Sequence, residues 1–303
     1  MKSILEDHFE ELSKINTQNH GKTLEESREE LRRTIENVES AISTAYTLSK
    51  GETLDQISEG IDEYSVKEPL GVFAIISPFN FPLMVPFWFI PYAIVLGDTV
   101  VLKPSEIDPI PTTYLMRIIQ DKLGLPQGVI NLVHGSKDAV EYLISHKDVK
   151  CVTFLGSTPV AKRVYKLAGE HGKRAIVNGG AKNSIVVMPD ANIESTISPI
   201  VSSFFGNSGR RCLAGSNLIT IGMETHERML EKFVQASENI KVGYGLDSLS
   251  DMGPVISQAA KEWIVSYVER GSSEGAKLVR DGERVSYSFQ GISERLLSWA
   301  NDI

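Results

Sequence analysis

The stretch GVFAIISPFNFPLMVPFWFIPYAIVLGDTVVLKPSE, residues 71–106, decides the fold. It opens on GVFAIISP (71–78) and closes on DTVVLKPS (98–105). Both runs are short, continuous in apolar residues and rich in Val and Ile, as strands buried on both faces are. Between them lies FPLMVPFWFIPYAIVLG (81–97), apolar enough to raise the question of a membrane span. Pro82, Pro86 and Pro91 interrupt it, and it falls short of the ~20 residues a spanning helix needs. It reads instead as a buried helix or helix–turn in a large core. Two buried strands joined by an apolar crossover form a parallel pair.

The pattern repeats downstream. TTYLMRIIQDKLG (112–124), KDAVEYLISH (137–146) and STPVAKRVYKLAGEHG (157–172) have helical spacing, while GVINLVHG (128–135), KCVTFLG (150–156) and RAIVNGG (174–180) read as strands. Such alternation builds βαβ units with helices on both faces of a parallel sheet. NSIVVMPDAN (183–192), SNLITIG (216–222) and helices near 224–240 and 257–270 continue it. The expected fold class is α/β: a Rossmann-type parallel sheet with helices on both faces, followed by part of a second α/β unit.

Upstream, LEESREELRRTIENVESAISTAYTLS (24–49) carries apolar residues at helical spacing among charges. It reads as a surface helix with a narrow buried stripe and a solvated charged face. GETLDQISEGIDEYSV (51–66) is polar and glycine-punctuated, a hairpin or a crossing linker.

Composition excludes several classes of function. The chain has 303 residues, 42% hydrophobic and 23% charged, with a formal net charge of −8. No basic cluster suggests a nucleic-acid groove. Two cysteines give neither a disulfide framework nor zinc spacing, so a reducing cytoplasm is expected and no metal site. The start, MKSILEDHFEELSK, lacks the apolar core of a signal peptide.

Two strand ends are candidate cofactor contacts. In FLGSTPVAKRV (154–164) a strand ends at Gly156, Ser157 can cap the next helix and Pro159 suits its first turn. Free N–H groups at such a start favour a phosphate, although an ordinary βα turn has the same pattern. In LKPSE (102–106), Lys103 and Glu106 fall at the carboxyl edge of the sheet, where open α/β folds bind ligands. A carboxylate there can accept both hydroxyls of an adenosine ribose; a solvated Lys–Glu pair is the plainer alternative. GYGLDS (243–248) lacks the last glycine of a dinucleotide fingerprint. Cys212, in FFGNSGRRCLAGSN (204–217), is either a buried space-filler or a nucleophile. Cys151, inside a strand, reads as core.

Taken together, the 69–106 stretch, VTFLGST, NGGAKN and FGNSGRRC resemble, in order and spacing, the aldehyde dehydrogenase superfamily. Residues 69–256 are similar throughout, and PFNFP, NGGAKN and VVMPDAN resemble the (methyl)malonate-semialdehyde branch. The resemblance implies that Cys212 attacks an aldehyde carbon, that hydride passes to NAD, and that a thioester remains. It implies an oxyanion held by the Cys212 N–H and the Asn80 amide. It places Ser77, Pro78, Phe79, Lys103, Glu106, Gly156 and Ser157 at the NAD site, and Lys182 beside the active-site turn. Its division of the chain is an N-terminally shortened NAD-binding domain (1–178), a partial catalytic domain (179–282) and a tail unlike the family (283–303).

Departures from the family pattern are informative. Hydrolytic members carry Glu where this chain has Asn178. An amide cannot activate water as a base, which implies acyl transfer to coenzyme A rather than hydrolysis. Arg210 stands where the family has Gln; with Arg211 it would make the site electropositive, which activates thiols and attracts a carboxylate-bearing semialdehyde, or it would crowd the site. Typical members are longer at both ends, and the Glu-x-Phe-Gly motif that anchors the nicotinamide ribose is absent. The expectations are therefore a CoA-acylating dehydrogenase by ancestry; a hydrolytic aldehyde dehydrogenase as an alternative, against which Asn178 argues; or, for the isolated chain, a non-catalytic nucleotide-binding or assembly module. Such a chain would form a homo-oligomer or be completed by a second polypeptide.

Overall fold

The computed structural model describes residues 1–279; the expected tail, 283–303, lies outside the described residues. Three helices open the chain: α1 (Lys2–Asp7), α2 (Phe9–His20) and α3 (Leu24–Ser49). α3 begins at a capping box, in which the Thr23 hydroxyl accepts the Glu26 N–H and the Glu26 carboxylate accepts the Thr23 N–H. Leu31, Val38 and Ala41 form its buried stripe. The charged positions depart from expectation: Glu30 is buried and Glu26 is largely covered, so this face is not uniformly solvated. The hairpin reading of 51–66 describes the observed β1 (Glu52–Ser58) and β2 (Ile61–Ser65), antiparallel and exposed along their length.

The main sheet follows. Its strands and helices are β3 (Val72–Ile76), α4 (Ile90–Val95), β4 (Thr99–Lys103), α5 (Ile110–Lys122) and β5 (Ile130–Leu132), then α6 (Lys137–Ser145), β6 (Val149–Leu155), α7 (Thr158–Glu170) and β7 (Arg174–Asn178). The spatial order is β5-β4-β3-β6-β7, with every pair parallel. Chain direction across the sheet reverses between β3 and β6, the switch point at which such sheets open a crevice.

Strand residues alternate between two cores. Ile75, Val100 and Leu102 face one side, with Leu31, Leu83, Phe87, Ile90 and Leu115 from α3, the 81–90 crossover and α5. Ala74, Ile76, Val152 and Phe154 face the other, with Ile144 from α6 and Ala161 and Val164 from α7. The apolar 81–97 run is therefore core, and no helix among the described residues is long and apolar enough to cross a membrane.

A second parallel pair comprises β8 (Asn183–Val187) and β9 (Gly215–Thr220), joined by α8 (Ile193–Phe205); α9 (Met223–Glu238) and α10 (Gln258–Ser273) come after it. The sequence reading did not include α8, because Pro199 lies inside it. Asn192 caps it, and Ile193 and Ile200 carry its buried face against Val187 and Met229. α10 buries none of its residues, and Trp263 is 62% exposed.

Candidate active site

The carboxyl ends of the five strands share one edge, and that edge collects the expected cofactor residues. Ser77, Pro78 and Phe79 continue from β3, Lys103 ends β4, and Gly156 and Ser157 follow β6. Ser77 and Gly156 thus flank the switch point. Ser77 donates its N–H to the Lys103 carbonyl at 3.1 Å. Ser157 is the residue before α7, but its side chain makes no cap bond, contrary to the expected role. The first-turn amides of a thirteen-residue helix are left without that partner, an arrangement that suits an anion.

Lys103 is nearly fully buried. Its ammonium donates to the Pro104 carbonyl at 2.8 Å, the Gly135 carbonyl at 2.7 Å and a Glu106 oxygen at 2.9 Å. All three donors are used, so Lys103 builds the edge and holds Glu106 out toward solvent. Burial pushes the Glu106 carboxyl up, but the Lys103 bond and charge outweigh it and leave it below the usual range. His134, beside this edge, is lowered by burial and by the Lys103 charge.

Cys212 is exposed, at the end of a tight turn that follows α8. The turn is built by Asn207 and Ser208, both left-handed at φ 54° and 51°, where non-glycine residues are uncommon. The Arg210 N–H donates to the Asn207 carbonyl at 2.9 Å. Asn80 reaches this turn across 130 residues of sequence: its side-chain amide donates to the Arg210 carbonyl at 2.7 Å. The Asn80 amide is thus tied two residues before Cys212, whose own N–H has no protein partner among the described residues. Cys151 is buried in β6, and burial pushes its thiol up to about 11.

Asn178 ends β7 and is exposed; its carbonyl accepts the Gly156 N–H at 3.2 Å. The Gly179–Gly180 turn packs on Thr158, with the Gly180 N–H donated to the Thr158 hydroxyl. Among the described residues the link from this turn to the cysteine runs through Asn183, whose amide donates to the Cys212 carbonyl at 2.9 Å. Lys182 lies 5.5 Å from the Tyr267 ring centre. Arg211 does not leave a free positive charge beside the thiol: its guanidinium is 3.4 Å from Glu26 and 4.0 Å from Glu29.

Three residues that hold this geometry were read as ordinary helix surface. Lys22 and Glu30 are a fully buried ion pair at 2.8 Å. Lys22 also donates to the Asn80 carbonyl at 2.7 Å, and Glu30 accepts the N–H groups of Leu83 and Met84 at 2.8 and 3.0 Å. Glu26, one turn earlier on α3, accepts the Asn207 N–H. The signal that could have found them is the Gly-Lys-Thr-x-x-Glu capping box, which places Lys22, Glu26 and Glu30 together at the start of α3. GYGLDS proves structural: a Cβ on Gly245 would lie 2.1 Å from the Lys22 carbonyl oxygen.

The aldehyde dehydrogenase family profile matches residues 1–292, and the chain belongs to that family. It is 44% identical over 311 residues to malonate-semialdehyde dehydrogenase 1 of Oceanobacillus iheyensis, covering 99% of this chain and 63% of that one. Malonate-semialdehyde dehydrogenase 2 of Geobacillus kaustophilus is also 44% identical, over 93% of this chain and 57% of its own length. Among solved structures, a methylmalonate-semialdehyde dehydrogenase from Oceanimonas doudoroffii superposes with a TM-score of 0.91 at 42% identity, over 96% of this chain and 60% of that chain. A Sinorhizobium meliloti 1021 protein assigned the same name, complexed with NAD, gives 0.91 at 38% identity over 96% and 58%. The chain thus spans less than two thirds of the length of these relatives.

Proposed function

We propose that this chain carries the nucleophile and the dinucleotide edge of an NAD-dependent, CoA-acylating dehydrogenase of (methyl)malonate-semialdehyde type. The observation that carries the reading is the Asn80 amide bonded two residues from an exposed Cys212, at the edge of a sheet whose switch point faces α7. Cys212 would add to the aldehyde carbon, and the Cys212 N–H and Asn80 would hold the oxyanion. Bound NAD would supply the hydride acceptor. The open first turn of α7 suits its pyrophosphate, and the carboxylate of Glu106, held by Lys103, suits a ribose. Asn178 at the end of β7 offers no base for water, which supports coenzyme A as the acyl acceptor over hydrolysis. Two free cysteines, one of them an exposed thiol, suit a reducing compartment such as the cytoplasm.

A second reading has its own support. Among the described residues the β8–β9 sheet has two strands, and Leu213 beside Cys212 is 82% exposed. On this reading the 303 residues alone bind nucleotide without turnover, and the exposed β1–β2 hairpin and α10 face a second copy or a completing chain. The deciding assay follows NADH formation with NAD, malonate or methylmalonate semialdehyde, with and without coenzyme A. Cys212→Ala is the blank. CoA-dependent turnover lost in the blank supports the dehydrogenase; nucleotide binding without turnover supports the second reading; turnover independent of coenzyme A overturns the acyl-transfer assignment.

A further inference from the structure

We propose that Lys22 and Glu30 are positioning residues for Asn80, a buried charged clamp that fixes the backbone from which the Asn80 amide reaches the Cys212 turn; this rests on the reading of Cys212 as nucleophile and Asn80 as oxyanion donor.

The clamp grips main chain. One Glu30 oxygen accepts the Leu83 and Met84 N–H groups, and the other accepts the Asn16 amide at 2.7 Å and the Lys22 ammonium at 2.8 Å. The Lys22 ammonium spans from that carboxylate to the Asn80 carbonyl and sits 4.6 Å from the Phe81 ring centre. Five residues, 80–84, are thereby held at Asn80, Phe81, Leu83 and Met84. None of this depends on the side chain of Asn80, which is left to point the other way, onto the Arg210 carbonyl.

The same Asn80 carbonyl accepts a second bond, from the Asn207 amide at 2.9 Å. Asn207 is the buried, left-handed residue that sets the cysteine turn. Asn80 is thus the joint between clamp and nucleophile: its carbonyl is shared by Lys22 and Asn207, and its amide ties the turn at Arg210. Stability alone is a weak reason for such a pair. Removing two charges from water is costly, and well-packed apolar residues of similar volume often serve a core as well or better. A buried network in which the Lys22 and Glu30 charges are each spent on main-chain groups of one loop instead specifies one geometry for that loop.

The test uses the full chain. Lys22→Met/Glu30→Gln removes both charges of the pair together, so neither partner is left unpaired; Lys22→Met alone is its companion. Hydrogen exchange is measured over peptides 79–86 and 205–213. Hemithioacetal formation is measured by ¹³C NMR with carbonyl-¹³C propanal and no cofactor, with Cys212→Ala as the blank. In that addition the sulfur bonds to the carbonyl carbon, the π pair moves to oxygen, and the thiol proton reaches it through solvent; nothing is oxidised. The paired variant is expected to exchange about tenfold faster in both peptides and to weaken hemithioacetal formation about tenfold, as Asn80→Ala should, the order of one hydrogen bond lost. Adding Asn80→Ala to the paired variant should cost nothing further, because the two act through one group.

Unchanged exchange in the two peptides, or losses that add, would overturn the proposal. So would exchange that rises uniformly across the chain with a lowered urea midpoint, which would assign the pair to general stability. Faster exchange in both peptides with no effect of Asn80→Ala on the hemithioacetal would support the clamp and remove Asn80 as oxyanion donor.

Discussion

Replacing Glu26 by Ala should cost stability at two separated places, because one carboxylate serves both. One oxygen accepts the Thr23 N–H at 3.0 Å and the Thr23 hydroxyl at 3.2 Å, closing the capping box of α3. The other accepts the Asn207 N–H and faces Arg211 at 3.4 Å. Losing the reciprocal half of the capping box costs about 0.5 kcal/mol. The Asn207 N–H belongs to a residue that is 1% exposed, and leaving it without an acceptor costs about 1–3 kcal/mol. The sum is about 1.5–3.5 kcal/mol. The second share falls on a turn already holding two consecutive left-handed residues, so the turn should relax locally as well. Urea unfolding followed by circular dichroism measures the sum, and hydrogen exchange over 205–213 reads the local share. Glu25→Ala is the control, since among the described residues the exposed Glu25 pairs with Arg28 on the same helix, at 3.4 Å. A loss under about 0.5 kcal/mol, equal to the control and with exchange at the turn unchanged, would refute the claim that Glu26 braces it.

His20 is buried, its Nδ1 accepts the Lys22 N–H at 3.3 Å, and burial followed by the Lys22 charge lowers its pKa to about 2. A histidine lowered in the folded state binds its proton only on unfolding between that value and about 6.5, so stability falls as pH drops below about 6.5. At pH 5 the loss is about 2 kcal/mol relative to pH 7, and it should shrink in His20→Asn by urea titration at both pH values. Asp108, raised well above the usual carboxylate range by burial, slopes the other way above about pH 3.8, which is why the comparison is made between variants. Iodoacetamide at pH 8 should modify one thiol, Cys212, with Cys151 reacting only in denaturant; equal labelling of both in the folded chain would contradict its burial. Lys103→Met leaves the buried Pro104 carbonyl and the part-buried Gly135 carbonyl without their donor and should cost about 1–3 kcal/mol. It should also raise the Glu106 pKa measured by NMR, since the Lys103 bond and charge that help to lower it are then gone.

Much of the fold is legible because both faces of the main sheet are covered. Strands buried on both sides must be continuously apolar, so GVFAIISP and DTVVLKPS stand out against the mixed helices between them. α8 was hidden by Pro199, which argues against a helix by local rule but is tolerated where Ile193, Ile200 and Phe204 have a core to reach. β5 is shorter than its apolar run because pairing as a strand with β4 ends at Leu132, although the Val133 N–H still bonds the Leu102 carbonyl.

The candidate site was legible only through the family resemblance. Residue type alone left Cys212 between space-filler and nucleophile, and Asn80 drew a role only from the PFNFP match. The residues that bring them together are common ones. Lys22, Glu26 and Glu30 sit at the start of a helix with seven further acidic and basic residues, and the same spacing that puts Glu30 one turn after Glu26 also describes a solvated stripe. What separates the readings is tertiary: the loop 80–84 lies over Glu30, and the 207–211 turn lies over Glu26. Neither contact has a sequence-local signature, because each is made to a backbone N–H that any residue could supply. A charge is recognisable as functional from sequence when its partner is a particular side chain. When its partner is main chain, the pattern carries only the charge, and the role emerges once the fold has placed the peptide against it.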